Sequence, residues 1–231
     1  MKSAWGPRVP AESSGIAGRP ESYFRRPDEQ AWAARWGIVR SDVTFSDADY
    51  IRAAIAVGST ANGVLALRIM WGTMGHVVEK RRRIYPDLVD DADLLHRAFG
   101  HTRFIYLRRD DVGAQAVSWS RAEQTDVWFE AVASPQELPA REPRFDLAQI
   151  DTFRRLIEEH NAAWQEWFAS EGIRPHSVRY EDLSADPVNV ARAVLDVLGL
   201  ELPRGRQVKV RHRRLGDQLN AEWIGRYRAR Q

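Results

Sequence analysis

One strand-turn-helix segment near the middle of the chain constrains the fold more than any other part of the sequence. It opens with a short apolar run, Phe104 to Leu107, that is typical of a strand buried in a parallel sheet. A polar turn follows, in which Asp110 or Asp111 is a natural N-cap for a helix that continues through Ala122. The segment therefore predicts the repeating unit of an α/β protein.

The same segment carries two side chains that suit an anion. Arg109 stands at the end of the predicted strand, and Ser118 lies on the helix that follows. Arginine offers a planar fork of donors and serine adds a hydroxyl, so the pair can converge on one phosphate of a nucleotide cofactor. The alternative is a surface arginine and a serine that faces its own helix.

Other segments repeat the alternation of strand and helix. Further strands are predicted at 64–69 and 176–180, and further helices at 47–57, 71–83, 94–99, 146–172 and 187–199. The alternation implies α/β architecture: a parallel β-sheet flanked by helices on both faces, with ligands bound beyond the carboxyl ends of the strands. Besides Arg109 and Ser118, that edge is expected to carry Arg68, Trp71, Glu181 and Asp182.

Bulk composition excludes several classes of protein. The 231 residues carry a net charge of only +2 and contain no cysteine, so disulfides and thiolate metal sites are ruled out. No apolar run is long enough to span a membrane, and the N-terminus lacks the apolar core of a signal peptide. We therefore expect a cytoplasmic protein with an irregular segment at 1–14 and one domain at 15–231. The histidines are scattered, and no metal site is expected.

Basic residues crowd the C-terminal part of the chain, between Arg204 and Arg214 and again between Arg226 and Arg230. Such a run is either a solvated face or a binding surface for a nucleotide, a sulfated sugar or a nucleic acid. A nucleic-acid binder would interleave basic residues with exposed aromatic ones. Here the tryptophans sit mostly on apolar helix faces, which predicts core packing and argues against a nucleic-acid partner.

Several short motifs, in order along the chain from about residue 15, resemble the bacterial sulfotransferases of the trehalose 2-sulfotransferase-like family. They are Gly-Ile-Ala-Gly-Arg-Pro-Glu-Ser-Tyr-Phe at 15–24, the stretch from Asn62 to Gly72, the block from Arg109 to Trp128, Tyr-Glu-Asp-Leu at 180–183, and the tail from Asp217 to Arg228. The block from Arg109 to Trp128 is the most specific of these.

The resemblance implies a fold, a donor and an acceptor. The family has a P-loop NTPase-like fold, and its members transfer a sulfuryl group from 3′-phosphoadenosine 5′-phosphosulfate (PAPS) to a hydroxyl of a sugar or glycolipid, of the trehalose or lipopolysaccharide type. By position, Arg109 and Ser118 would hold the 3′-phosphate of PAPS, and Arg214 would approach the nucleotide from a C-terminal basic loop, where a solvated loop is the alternative. The resemblance also favours a homodimer.

The acceptor hydroxyl needs a base that takes its proton as the new S–O bond forms. Glu21, in the Gly-Arg-Pro-Glu-Ser-Tyr-Phe motif, is the candidate by resemblance, although some family members carry the acid one position later, where this chain has Ser22. A solvated loop carboxylate is the alternative role. Tyr23 and Phe24 are expected to anchor this loop in the core rather than to stack on a sugar. His101 and His160 stay open as further acid or base groups.

One part of the family pattern is missing from the sequence. The family's first strand and its phosphosulfate-binding loop would fall near residues 1–10, where Pro7 and Pro10 oppose a strand-loop-helix unit. Losing a loop of preorganised donors should reduce turnover to near background. We therefore expect a truncated form of an enzyme, with a non-catalytic nucleotide- or sugar-binding relative as the alternative.

Overall fold

A computed structural model describes residues 14–39, 45–126, 130–131, 142–208, 212–213 and 218–230 of the chain. Helices dominate these residues, and a 3₁₀ turn at Arg26–Asp28 precedes the first of them. The helices are α1 Glu29–Arg35, α2 Asp47–Gly58, α3 Trp71–Arg82, α4 Asp91–Phe99, α5 Val112–Thr125, α6 Leu147–Ser170, α7 Tyr180–Ala185, α8 Pro187–Leu198 and α9 Gln218–Arg228. The strands are β1 Ile105–Arg108, β2 Glu130–Ala131, β3 His176–Arg179 and β4 His212–Arg213.

Strands β1 and β3 form the parallel pair at the centre of the fold. Their register runs from Ile105 opposite His176 to Arg108 opposite Arg179, so both strands end at the same edge. Strands β2 and β4 form a separate, short antiparallel pair. Because α5 follows β1 and α7 follows β3, the helix starts and the polar side chains beyond both strands are brought to one edge.

Helices cover both faces of this pair, as the alternation of side chains along β1 requires. Phe104 and Tyr106 pack into the largest core cluster, which α2, α3, α4 and α6 also form. Ile105 and Leu107 point the other way, into a cluster built mainly by α8. The predicted α/β fold class, with helices on both faces of a parallel sheet, is confirmed.

The strand predicted at 64–69 is much shorter than expected. Leu67 makes a single parallel bridge to Glu21, and Leu65 makes a single antiparallel bridge to Ser59. The apolar run thus forms backbone bridges with two different segments, and each bridge involves a single residue of the run. A continuous strand was therefore the wrong prediction, but the segment still carries Arg68 into the start of α3.

Most of the predicted helix ends are confirmed. The carboxylates of Asp111, Asp146 and Asp186 each accept a hydrogen bond from an amide three residues on, which is the N-cap geometry. Gly199 ends α8 in the left-handed conformation. Ser46 is the N-cap of α2, because its hydroxyl accepts a hydrogen bond from the Asp49 amide.

Some predictions fall outside the described residues. These are the irregular segment up to residue 13, Trp128 at the end of the family block, most of the Pro-rich stretch at 133–145, and Arg214. The core role predicted for the aromatic pair after Glu21 is confirmed, since Tyr23 and Phe24 are almost fully buried. Trp32 lies edge-on to Tyr23 at 5.2 Å, which locks this loop into the largest core cluster.

Gly18 lies in the loop that carries Glu21, at the point where this loop packs against the segment before α3. Its φ is +76°, and a Cβ at this position would lie 2.3 Å from the amide nitrogen of Ala66. Left-handed geometry costs other residues about 1–2 kcal/mol, and overpacking adds about 1–3 kcal/mol. We expect Gly18→Ala to lower the free energy of unfolding in urea by about 2 kcal/mol or more.

Gly63 provides the matched control for this substitution. Its φ is +81°, but a Cβ there would meet nothing within 4 Å. Gly63→Ala should therefore cost only the conformational part, about 1 kcal/mol. Equal losses for the two variants would show that the contact between Gly18 and Ala66 does not restrict the loop.

Candidate functional site

Carboxylates fill the turn between β1 and α5. The Asp111 carboxylate accepts from the Ala114 amide at 2.9 Å, and Glu181 accepts from the amides of Asp110 and Asp111 at 3.2 and 3.3 Å. These are the amides that an anion at a helix N-terminus would use. Carboxylates of the chain itself therefore occupy the amides of Asp110, Asp111 and Ala114. This arrangement favours side chains as the donors to an anion near β1.

Three arginines at this edge form ion pairs with the same group of acids. Arg108 lies 2.6 Å from Asp110, Arg179 lies 2.6 Å from Asp182, and Arg228 reaches Asp111 at 2.6 Å. The Arg179 guanidinium holds the pKa of Asp182 below its ordinary value. Exposed pairs of this kind add little stability, so they serve mainly to balance the charge around the turn.

Arg109 lies differently from these three arginines. It follows β1 directly, is half-buried, and places its guanidinium carbon 4.7 Å from the ring centroid of Tyr180, the first residue of α7. Stacking on a ring fixes the plane of a guanidinium and directs its N–H groups sideways, toward a planar or tetrahedral anion. The position at the strand end is the one that the sequence predicts.

Ser118 lies about two turns into α5, roughly 9 Å along the axis from its first residue. Its hydroxyl donates to the Ala114 carbonyl at 2.9 Å and accepts from the Asn220 amide nitrogen at 3.3 Å. The helix-facing alternative thus describes the hydroxyl in this structure. An anion that touches both Arg109 and Ser118 lies along the flank of α5 and not on its N-terminus.

In the C-terminal basic segment, the structure describes residues 204–208 and 212–213, and Arg214 lies outside the described residues. Within the described part, the Arg206 guanidinium donates to the Ser14 carbonyl at 2.8 Å. The beginning of the basic segment therefore packs against the turn at Ser14 and Gly15. That contact brings it close to the first described residues of the domain.

Glu21 lies beside Arg68, in the second half of the candidate site. The Arg68 amide donates to the Glu21 carbonyl at 3.1 Å, and the Glu21 carboxylate lies 3.9 Å from the Arg68 guanidinium. Both side chains are about one quarter exposed (27 and 24%). Ser22, at the alternative position for the acid, is buried and accepts from Arg68 at 2.9 Å. The carboxylate at 21 is thus fixed by a cation and still open to a substrate.

Helix α6 borders the Arg68 side of the site. Trp164 lies edge-on to Trp71, the first residue of α3, with 5.1 Å between the ring centroids. A Cβ on Gly72 would lie 4.0 Å from the His160 ring. On the other side, Tyr106 of β1 donates to the Asn161 side chain at 3.3 Å. One turn of α6 therefore contacts both the start of α3 and the central strand pair.

His160 is one of the two histidines left open by the sequence. Burial lowers its pKa below the ordinary value of 6.5, because the charged imidazolium loses hydration. We expect an NMR titration, assigned with a His160→Gln variant, to give a midpoint below 6.5. Because the folded state binds a proton at His160 less readily than the unfolded state, the protein is more stable while His160 is neutral. This contribution to stability is lost as the pH falls below 6.5 and through the folded pKa. A midpoint above 6.5 would contradict the placement.

A groove of about 600 Å³ runs along α3. Its lining combines apolar side chains, among them Trp71, Met74, Val78 and Trp167, with charged ones that include Arg82 and Asp91. Arg82 and the Trp167 indole both bond to the Asp91 carboxylate, at 3.1 Å each. The groove begins at Trp71, the first residue of α3, which follows Arg68 by three residues.

The described residues contain neither a candidate metal site nor a membrane-spanning helix. No group of three or more His, Cys, Asp or Glu side chains in the described ranges could hold a metal ion. None of the helices built from those residues is both long enough and apolar enough to cross a membrane.

An α/β fold that gathers arginines and hydroxyls beyond the carboxyl ends of parallel strands is typical of proteins that bind nucleotides. The chain belongs to the Stf0 sulphotransferase family, whose model matches residues 10–230. It is 27% identical over 225 residues to a trehalose 2-sulfotransferase of Mycobacterium tuberculosis (strain ATCC 35801 / TMC 107 / Erdman), covering 94% of this chain and 81% of that protein. It is 29% identical over 240 residues to a trehalose 2-sulfotransferase of Mycolicibacterium smegmatis (strain ATCC 700084 / mc(2)155), covering 94% and 86%.

The sequence did not predict two sets of contacts at the site, one made by Asn220 and one made by Glu181. Asn220 is buried on α9 and bonds to Ser118. Glu181 was expected at the sheet edge, but its bonds to the turn after β1 were not. Both contacts join parts of the chain at least 70 residues apart, and no local pattern in the sequence marks them.

Proposed function

We propose that this protein uses PAPS as its sulfuryl donor and transfers the sulfuryl group to a hydroxyl of a carbohydrate. Trehalose is the first candidate acceptor, alone or as the head group of a glycolipid, since both curated relatives are trehalose 2-sulfotransferases. The observation that carries the proposal is the guanidinium of Arg109, stacked on Tyr180 at the carboxyl end of β1. Such a planar, oriented cation matches the tetrahedral oxygens of a phosphate.

On the donor side, Arg109 and Ser118 bind the 3′-phosphate of PAPS, and Arg214 approaches the nucleotide. The carboxylates around Asp110 and Asp111 fill the helix start and keep the phosphate on the flank of α5. Recognition of the 3′-phosphate is what distinguishes PAPS from other adenine nucleotides. The site therefore selects the donor by the phosphate that does not react.

On the acceptor side, Glu21 acts as the general base. The sugar oxygen attacks the sulfur, the bond between the sulfur and the 5′-phosphate oxygen breaks, and the hydroxyl proton passes to the Glu21 carboxylate. The products are the sugar sulfate and adenosine 3′,5′-bisphosphate (PAP). The Arg68 guanidinium, 3.9 Å from the Glu21 carboxylate, orients that carboxylate toward the acceptor hydroxyl.

A non-catalytic relative that binds the nucleotide or the sugar is the competing function. This function shares the donor site but involves no sulfuryl transfer that depends on Glu21. The two functions are therefore distinguished by whether Glu21→Gln lowers a rate of sulfuryl transfer. Near-background turnover by this sequence, a cytoplasmic location and a homodimer stay predictions.

Calorimetry with two nucleotides tests the donor assignment without requiring turnover. Titration with PAP and with AMP should give at least tenfold tighter binding of PAP, because charge-assisted hydrogen bonds contribute about 1.5–3 kcal/mol each. Equal affinities would overturn the assignment of the 3′-phosphate to this site.

A further inference from the structure

Helix α9 runs antiparallel to α5 and contacts it at three levels. Asn220 bonds to Ser118, the Tyr227 ring packs 3.4 Å from where a Cβ of Gly113 would lie, and Arg228 pairs with Asp111. The contacts pass from two turns inside α5 to its N-cap. The C-terminal helix is therefore built onto the flank of α5 that carries the proposed phosphate site.

The contact between Asn220 and Ser118 determines what the serine hydroxyl can offer. The hydroxyl has one proton and two lone pairs. The Asn220 amide nitrogen donates into a lone pair at 3.3 Å, while the proton points to the Ala114 carbonyl at 2.9 Å. Asn220 is 4% exposed, so its amide lies in a region that water barely reaches.

We propose that Asn220 is a positioning residue for the 3′-phosphate of the nucleotide donor. By donating to the Ser118 oxygen, it keeps the hydroxyl proton available as a donor and directs it toward an acceptor on the α5 flank. The inference rests on the proposed function, in which Ser118 contacts that phosphate. No direct contact between Asn220 and the nucleotide is required.

The exchange of acceptors follows from their relative strength. A phosphate oxygen carries charge, and hydrogen bonds to charged groups are roughly twice as strong as neutral ones. The hydroxyl therefore turns from the Ala114 carbonyl to the phosphate when the nucleotide binds. The bond from Asn220 polarises the hydroxyl and strengthens the new bond, because chains of hydrogen bonds reinforce one another.

Calorimetry on Asn220 variants tests the inference. Asn220→Ala should weaken PAP binding by roughly three- to tenfold, the effect of one modest hydrogen bond, and leave AMP binding within about twofold. Asn220→Asp keeps the shape but replaces the donor by an acceptor and adds negative charge. It should weaken PAP binding further, and it serves as the test if circular dichroism shows the alanine variant to be unfolded.

A double-mutant cycle separates positioning from general support of the fold. In a Ser118→Ala background, Asn220→Ala should cause no further change in the ratio of PAP to AMP affinity. Tyr227→Phe is the control on the same helix, since it removes the 2.7 Å bond to Asp151 and leaves Ser118 untouched. That variant should keep the wild-type ratio.

The outcomes distinguish this inference from the proposed function. If the wild-type protein binds PAP and AMP equally, the donor assignment itself fails. If the wild type prefers PAP and Ser118→Ala reduces the preference, but neither Asn220 variant does, the role of Asn220 is overturned. Additive effects of Ser118→Ala and Asn220→Ala on the ratio would overturn it as well.

Discussion

Glu21→Gln should lower the rate of sulfuryl transfer by about 10²- to 10⁴-fold, the usual contribution of a positioned general base. Glutamine keeps the size of the side chain and leaves the backbone hydrogen bond from Arg68 in place, but its amide cannot accept the proton of the sugar hydroxyl. The affinity for PAP should stay within about twofold, because the substitution removes a hydrogen-bond acceptor and none of the donors that bind a phosphate. The pair of measurements separates proton transfer from donor binding.

The rate is measured by mass spectrometry of sulfated trehalose formed from PAPS. Two forms of the protein are assayed: this chain alone, and a fusion in which a strand and phosphosulfate loop from a relative precede it. The variants are compared in whichever form gives transfer above a protein-free blank. Glu158→Gln is the control, because Glu158 is an exposed carboxylate whose ion-pair partner is Arg154, one turn away on α6. An unchanged rate in Glu21→Gln would assign the proton transfer to another group, with His160 the next to test. Absence of transfer in both forms would contradict the sulfuryl-transfer proposal.

Arg109→Ala should weaken PAP binding on the order of a hundredfold, since two charge-assisted hydrogen bonds to the 3′-phosphate would be lost. AMP, which lacks that phosphate, should bind within about twofold of its wild-type affinity. Arg109→Lys keeps the charge but not the planar fork of donors. Its PAP affinity should fall between that of the wild type and that of Arg109→Ala.

Arg108→Ala is the matched control for this substitution. Arg108 is the neighbouring residue in the sequence, but it is exposed and pairs with Asp110. Its removal should change PAP affinity by no more than a few fold, through the loss of one cation near the site. Parallel losses of PAP and AMP affinity in Arg109→Ala would mean that the arginine supports the fold or the adenine site and not the 3′-phosphate.

The fold could be predicted from local patterns where a segment carries its own signals. The strand ending at Arg108 and the helix that starts after Asp111 are marked by an apolar run and a cap, and both are observed. The segment at 64–69 has the same apolar run, but its pairing depends on Glu21 and Ser59, which lie elsewhere in the sequence. No local pattern in the sequence could therefore predict how short this strand is.

The candidate site shows the same division. The end of a strand is sufficient to place Arg109 at the carboxyl edge, but not to show that Tyr180 lies beneath its guanidinium. The sequence also suggested that ligands bind beyond the carboxyl ends of the strands, which is where α5 starts. The structure gives that place to Asp111 and Glu181, because the amides there need acceptors whether or not a nucleotide is bound.

The position of the 3′-phosphate in a crystal of the protein with PAP tests the central claim most directly. The account predicts phosphate oxygens within hydrogen-bond distance of the Arg109 guanidinium and the Ser118 hydroxyl, on the flank of α5, with Glu181 still bonded to the turn after β1. A 3′-phosphate bound at the N-terminus of α5 in place of Glu181, or held by residues other than Arg109 and Ser118, would contradict it.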